Sequence, residues 1–422
     1  MAELGRILRN CARCRPFLPE HGSGARRGLL RLPYIAWPRI EELFSENAIM
    51  TVEFEWGLRE QRLRLGASIE QAISRVLDHG EYVMGPEVSR LERALEEYSG
   101  ARHCISCGNG TDALLLALMA LDIGPGDTVF VPAFSFVATA EPVALLGATP
   151  FFVDVFPDTF NIAPESLRGA IRMAKEDGHR CRAVVAVDLF GQPADYARLR
   201  EIAESEGLFL IADCCQSMGS RLGGRRAGTI ADISITSFFP TKPLGCYGDG
   251  GAVFTNDDDL ARLLRSIRVH GQEGHRYENT RVGLNSRLDT IQAAVLLEKL
   301  SIFRDELEQR HDVAMRYERA LSGEVTVPRV ISGSWPSWSL YTIQVDERDQ
   351  VVRRLSELAV PCVVCYPTPI SRQKGYVRYP AVSGGLPVCE RLSRRVLSLP
   401  VHPYLNRQRQ LEIVDAVLLS VK

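Results

Sequence analysis

Lys242 has the strongest chemical context of any residue in this sequence. It ends the run Ser237-Phe238-Phe239-Pro240-Thr241-Lys242, which continues into Pro243-Leu244-Gly245 and Gly248-Asp249-Gly250-Gly251. A lone lysine is ordinarily a solvated charge on a loop or helix face. Here the neighbours are apolar and aromatic, which would desolvate the ammonium and lower its pKa. A lysine so placed suits Schiff-base chemistry, because the amine attacks only when neutral.

Asp213 closes the apolar run Phe209–Ala212 and lies 29 residues before Lys242, in Ile211-Ala212-Asp213-Cys214-Cys215-Gln216-Ser217. Many strands end in an aspartate that serves only as a turn or helix cap. Paired with a Schiff-base lysine, this one matches what pyridoxal phosphate requires, a carboxylate that keeps the ring nitrogen protonated. Gly108-Asn109-Gly110-Thr111-Asp112-Ala113-Leu114 supplies the third part. Free N–H groups at a helix start cradle a phosphate, and Thr111 adds a hydroxyl. A glycine turn of this kind is also a simple helix cap.

These residues need elements to position them. Ala67–His79 and Glu87–Ser99 have helical spacing. Short apolar runs follow at Cys104–Ser106, Thr128–Val131, Thr149–Val153, Ala183–Asp188, Phe209–Ala212, Ile233–Ser237 and Gly251–Thr255. Helical segments separate most of them, at Thr111–Leu121, Thr139–Leu146, Pro164–Lys175 and Asp195–Ser205. The alternation predicts an α/β fold with a mostly parallel sheet covered by helices. Such sheets bind ligands at the carboxyl ends of their strands, where Asp213 falls. Asp257–Val269 reads as a helix and Asp289–Glu318 as one long helix or two, with Asp289 and Gln292 forming a capping box. The expected organisation is a large domain over 50–310 and a smaller C-terminal α+β domain over 311–422.

The 422 residues are 45% hydrophobic and 24% charged, with a net charge of −2, as in an ordinary globular chain. That balance argues against a bulk nucleic-acid binder. No apolar run approaches the ~20 residues of a membrane span. Eleven cysteines, an odd number, point to a reducing cytoplasm rather than a disulfide framework. Of three Cys-x-x-Cys pairs, Cys104/Cys107 and Cys362/Cys365 read as buried small residues on strands. Cys11/Cys14 lies in an extension, residues 1–49, that carries eight arginines and no lysine. That extension reads as a disordered tail or as the product of an upstream start codon, with Met50 as the true start. Its Arg-rich, acid-poor composition also faintly resembles a transit peptide. No metal site is expected.

From about Glu53 to its C-terminus the chain resembles the sugar aminotransferase family typified by DegT and StrS, fold-type I pyridoxal-phosphate enzymes. The resemblance rests on the motifs above and on Gly85-Pro86-Glu87-Val88, Pro132-Ala133-Phe134-Ser135-Phe136-Val137-Ala138-Thr139-Ala140 and Ser398-Leu399-Pro400-Val401-His402-Pro403-Tyr404. It implies that Lys242 carries the cofactor covalently, Asp213 meets the ring nitrogen and Gln216 the ring hydroxyl. Phe136 would stack on the ring, where core packing is the plainer role. Gly110, Thr111 and Ser237 would hold the phosphate. An Asn from the neighbouring subunit reaches that phosphate in the family, and Asn285 matches it. A homodimer with shared sites follows.

The resemblance is closest to members acting on a UDP-linked 3-keto-hexuronic acid, UDP-2-acetamido-2-deoxy-3-oxo-glucuronate, in O-antigen synthesis. The shared stretches are Phe238–Gly251 and Arg281–Thr290. Arg287 would grip the sugar carboxylate in bidentate fashion, or else form an interfacial salt bridge. It could also hold glutamate, the expected amino donor. His270 lies on a loop the family uses near substrate, and a structural hydrogen bond is its plainer role. Many members read Tyr-Pro-x-Pro-Leu-His where this chain reads Tyr366-Pro367-Thr368-Pro369-Ile370-Ser371, so no role passes to the missing histidine. The rival readings are an aminotransferase for a neutral 4-keto-6-deoxy sugar, a sugar dehydratase on the same fold, and a cofactor-binding regulator or inactive homologue. Dehydratase relatives carry His where Lys242 stands.

Overall fold

The computed structural model describes residues 54–275 and 277–422. The Arg-rich extension and Cys11/Cys14 lie outside the described residues. Seven strands form the central sheet: β1 (His103–Cys107), β2 (Asp127–Pro132), β3 (Thr149–Val153), β4 (Arg180–Val187), β5 (Phe209–Asp213), β8 (Ile233–Ser237) and β9 (Gly251–Thr255). The short strands β6 (Arg221–Leu222) and β7 (Arg225–Arg226) pair with β10 (Ser334–Trp335) in a separate small sheet.

The order across the central sheet is β1-β9-β8-β5-β4-β2-β3. β8, β5, β4, β2 and β3 run parallel, and β9 is antiparallel to both of its neighbours. Burial on both faces explains the near-continuous apolar runs. Alternate residues serve opposite cores: Ala183, Val185 and Val187 of β4 join Val129 and Val131, whereas Val184 and Ala186 join Phe130 and Phe151. The register brings Val187 against Asp213, and Ser237 and Cys107 against Gly251. One edge of the sheet therefore collects the ends of β4, β5, β8 and β1 and the start of β9.

Helix boundaries follow their punctuation. Pro86 opens the helix Pro86–Ser99, and Gly100, at φ 82°, closes it in the left-handed region. The helix Gly110–Ala120 is capped by Asn109, whose side chain accepts the Asp112 N–H. Thr290–Leu321 is a single helix of 32 residues, and it spans the expected boundary near 310. The capping box expected at its start does not form. Asp289 makes no side-chain cap bond, and Gln292 Oε1 instead accepts the Tyr247 N–H at 2.8 Å. The tight turn at Gly248 packs against Gln292 and draws that side chain away.

C-terminal to this helix, β11 (Tyr341–Gln344) pairs antiparallel with β12 (Val396–Leu399). Ile343 and Leu397 pack with Val313, Tyr317, Leu355 and Ile413 in a cluster of their own. Cys104 and Cys107 are buried on β1, as expected. Cys362 and Cys365 are half-buried and lie outside any strand, a correction. Pro361, Pro367 and Pro369 remove the N–H groups a ladder there would need. Among the described residues no helix is long and apolar enough to cross a membrane.

Candidate active site

At the edge where the strand ends gather lies a cavity of about 730 Å³, within the usual size of a cofactor pocket. Gly110, Thr111, Phe136, Asp213, Gln216, Ser237 and Lys242 all line it. Seven positions named from sequence thus converge, from β5, β8, one helix start and three loops.

Asp213 ends β5 and is 9% exposed. Its Oδ1 accepts the Cys215 N–H at 3.0 Å. Burial pushes its pKa above the usual carboxylate range, while the Cys215 contacts and the Lys242 charge pull it back. A buried carboxylate of this kind is best served by a cationic N–H partner. Gln216 follows on the next turn. Its Oε1 accepts the Phe190 N–H at 2.8 Å, and its Nε2 donates to Tyr366 Oη at 3.2 Å.

The Lys242 loop is held by backbone contacts. The Lys242 N–H donates to the Phe239 carbonyl at 2.9 Å, and the Cys246 N–H to the Phe238 carbonyl at 2.8 Å. A side chain at Gly245 would lie 2.5 Å from the Pro240 carbonyl oxygen, so only glycine lets the loop fold back on itself. Lys299, 1% exposed on the long helix, donates from Nζ to the Gly245 carbonyl at 2.6 Å and lies 4.3 Å from the centre of the Tyr247 ring.

Burial pushes the Lys299 ammonium down from 10.5 to about 8. Between those values the unfolded chain holds a proton the folded protein has released, so this site's contribution to stability rises with pH. Urea melts of wild type and Lys299→Met should therefore diverge in favour of wild type as pH climbs from about 8 towards 10.5. A stability difference that stays constant with pH would contradict this.

The helix start and β8 approach closely. A Cβ on Gly110 would lie 2.8 Å from Ser237 Cβ and 3.1 Å from Cys215 Sγ, so glycine alone fits between them. Ser237 Oγ accepts the Phe239 N–H at 3.2 Å. Phe136 is 56% exposed, with its ring 6.3 Å from that of Tyr366. The open ring face suits a planar ligand.

Asn285, Arg287 and His270 do not line the cavity. All three sit on the segment after the helix Asp258–Ile267. His270 is exposed with φ 57°, its N–H donating to the Leu284 carbonyl and its carbonyl accepting from Asn279. Asn285 is exposed and Arg287 half-buried. Among the described residues Arg287 makes no ion pair. Ser286 between them ties the segment to the phosphate turn: its Oγ accepts the Gly108 N–H at 3.0 Å and donates to Asp112 Oδ2 at 2.6 Å. Arg268, 4% exposed, anchors the segment's other end on Glu92 Oε1 at 2.6 Å.

Two residues were missed from sequence. Tyr366 lines the cavity beside Gln216 and Phe136. Its Tyr366-Pro367-Thr368-Pro369 context is the one signal in the sequence that points to it. Asp188, whose N–H donates to the Asp213 carbonyl at 3.0 Å, reads in the sequence only as the end of a strand.

Residues 64–418 match the DegT/DnrJ/EryC1/StrS aminotransferase family. The chain is 45% identical over 367 residues to a UDP-2-acetamido-2-deoxy-3-oxo-D-glucuronate aminotransferase of Pseudomonas aeruginosa, covering 86% of this chain and 98% of that one. A crystal structure of a DegT DnrJ EryC1 StrS aminotransferase from Brucella abortus superposes with a TM-score of 0.86 at 47% identity, covering 88% of this chain and 100% of the other. S. venezuelae DesV, solved in complex with a ketimine intermediate, gives 0.83 at 36% identity, over 88% and 99% of the two chains.

Proposed function

The chain belongs to the DegT/DnrJ/EryC1/StrS aminotransferase family, and from that premise we propose that it moves an amino group from glutamate to C3 of UDP-2-acetamido-2-deoxy-3-oxo-glucuronate, in the synthesis of a surface polysaccharide such as O-antigen. It is a transferase that works with pyridoxal phosphate. The observation that carries the site assignment is one cavity lined by Lys242, the buried Asp213 and the open helix start at Gly110.

These residues fit the cofactor. N–H groups at Gly110 and Thr111, with the Thr111 and Ser237 hydroxyls, would hold its phosphate. Asp213 would meet the ring nitrogen, and the protonated nitrogen would in turn keep this buried carboxyl ionised. Gln216, held at both ends of its amide, would present its remaining N–H to the ring hydroxyl. Phe136 would cover one ring face.

When bound, the cofactor supplies an electron sink and carries the amino group between two half-reactions. Lys242 Nζ takes the α-proton of the amino donor. In the second half-reaction it delivers a proton to C3 of the sugar. The partner subunit's Asn285 would complete the phosphate site of a homodimer. We place the reaction in the cytoplasm, consistent with nine described cysteines that are all free thiols.

Arg287 sets the substrate class in this reading. Free of any described carboxylate, it is available to the acid group of a hexuronate and, in the other half-reaction, to a carboxylate of glutamate. Arg287→Ala should lower kcat/KM for the acidic sugar about a hundredfold, the worth of a charge-assisted pair of hydrogen bonds. The rate on a neutral 4-keto-6-deoxy sugar should change little when pyridoxamine phosphate enzyme is supplied directly. Equal losses on both sugars would make Arg287 a structural residue.

A further inference from the structure

Asp188 takes no part in the chemistry above, does not line the cavity and is 0% exposed. It nevertheless receives more hydrogen bonds than any residue that does. Its Oδ1 accepts from Tyr196 Oη at 2.7 Å and from the Ala194 N–H at 2.9 Å. Its Oδ2 accepts from Ser217 Oγ at 2.6 Å, with Cys214 Sγ 3.6 Å away. Its own N–H donates to the Asp213 carbonyl at 3.0 Å. A buried carboxylate with so many donors aimed at it is held rigidly, and holds them in turn.

The two oxygens face different elements. Oδ1 faces the connection into the helix Tyr196–Glu206. Oδ2 faces Cys214 and Ser217, the two ends of the turn that carries Cys215 and Gln216. That turn is closed by the Ser217 N–H on the Cys214 carbonyl at 3.0 Å, and it follows directly on Asp213 at the end of β5. We infer that Asp188 is a positioning residue for the cofactor: through Ser217 it fixes the turn on which Asp213 and Gln216 meet the pyridine ring. The inference rests on the reading of Asp213 as the partner of the ring nitrogen.

The chemistry of the site adds a pH signature. Burial, with Asp213 nearby, pushes Asp188 up to about 7, while Ser217, Tyr196 and the Ala194 N–H pull it down. The titratable groups facing it are Tyr196 from the following helix and Asp213 and Cys214 from β5 and its turn. Only the ionised form can accept from all of its donors. Once protonated, Asp188 resembles asparagine.

The test titrates pyridoxal phosphate into apo-protein and reads the cofactor's induced circular dichroism and its Kd. Asp188→Asn is expected to raise Kd about tenfold above pH 7 and to weaken the induced signal. The gap from wild type should close as pH falls below 6, where both carry a neutral group. Ser217→Ala, which removes the hydroxyl donor to Oδ2 and leaves Oδ1 with its partners, should reproduce most of the loss. Tyr196→Phe, which of the two carboxylate oxygens alters only Oδ1, should bind as wild type, and these two variants serve if Asp188→Asn does not fold. Wild-type Kd in Ser217→Ala, or a pH-independent loss in a folded Asp188→Asn, overturns the inference. Asp213→Ala is run in parallel: unchanged Kd there would instead overturn the assignment of the ring partner on which the inference rests.

Discussion

Lys242→Ala should lose turnover by about 10⁴-fold or more, the combined cost of a missing proton carrier and a missing nucleophile. The loss should fall on kcat, because Gly110, Thr111, Ser237 and Asp213 remain to bind the cofactor. The variant should therefore still take up pyridoxal phosphate, reversibly and without a borohydride-stable bond to protein. Its fold should be unchanged, since the loop is held through the backbone at Phe238, Phe239 and Gly245 rather than through the lysine side chain. Lys242→Arg should fail equally, because a guanidinium stays protonated and cannot act as a base. Steady-state assay and reduction followed by peptide mapping check both statements. Turnover within tenfold of wild type would remove Lys242 from the mechanism.

Asp213→Ala should cost about 10²–10³ in kcat, the usual loss when one preorganised electrostatic partner is removed from a buried site. It should also weaken cofactor binding, since the ring nitrogen would face apolar surface. Asp213→Asn is the sharper variant. It keeps the shape and the Cys215 contact but cannot hold a protonated ring nitrogen. A similar loss in kcat from Asn and Ala would assign the effect to charge. A wild-type rate in Asn would assign it to packing.

Much of this site was legible in the sequence because its residues sit at element ends. Asp213 closes a strand, Gly110 opens a helix, and Lys242 follows β8 on a tight loop. Strand ends are visible wherever a buried run stops, and β3, β8 and β9 match their expected limits. β4 begins at Arg180, earlier than its apolar run, because Arg180 and Cys181 continue to pair with β2 across a bulge that hydrophobicity does not reveal. Tyr366 could not be placed from its own stretch of chain. It reaches Gln216 across 150 positions, from a proline-rich segment with no periodic signal. Asp188 was hidden for another reason: a carboxylate at a strand end looks solvent-bound until the helix and turn that bury it are in place. Asn285, Arg287 and His270 follow from the family resemblance alone, and the cavity of one chain does not include them. In the proposed homodimer Asn285 and Arg287 would act from the neighbouring subunit.

The most direct test of the central claim is to follow nitrogen. The purified protein, loaded with pyridoxal phosphate, is given ¹⁵N-glutamate and a mixture of UDP-2-acetamido-2-deoxy-3-oxo-glucuronate and a neutral 4-keto-6-deoxy nucleotide sugar. The label is then located by mass spectrometry and NMR. ¹⁵N is expected at C3 of the uronate, with one 2-oxoglutarate formed per amine. Label found only on the neutral sugar, or none transferred to either, would contradict it.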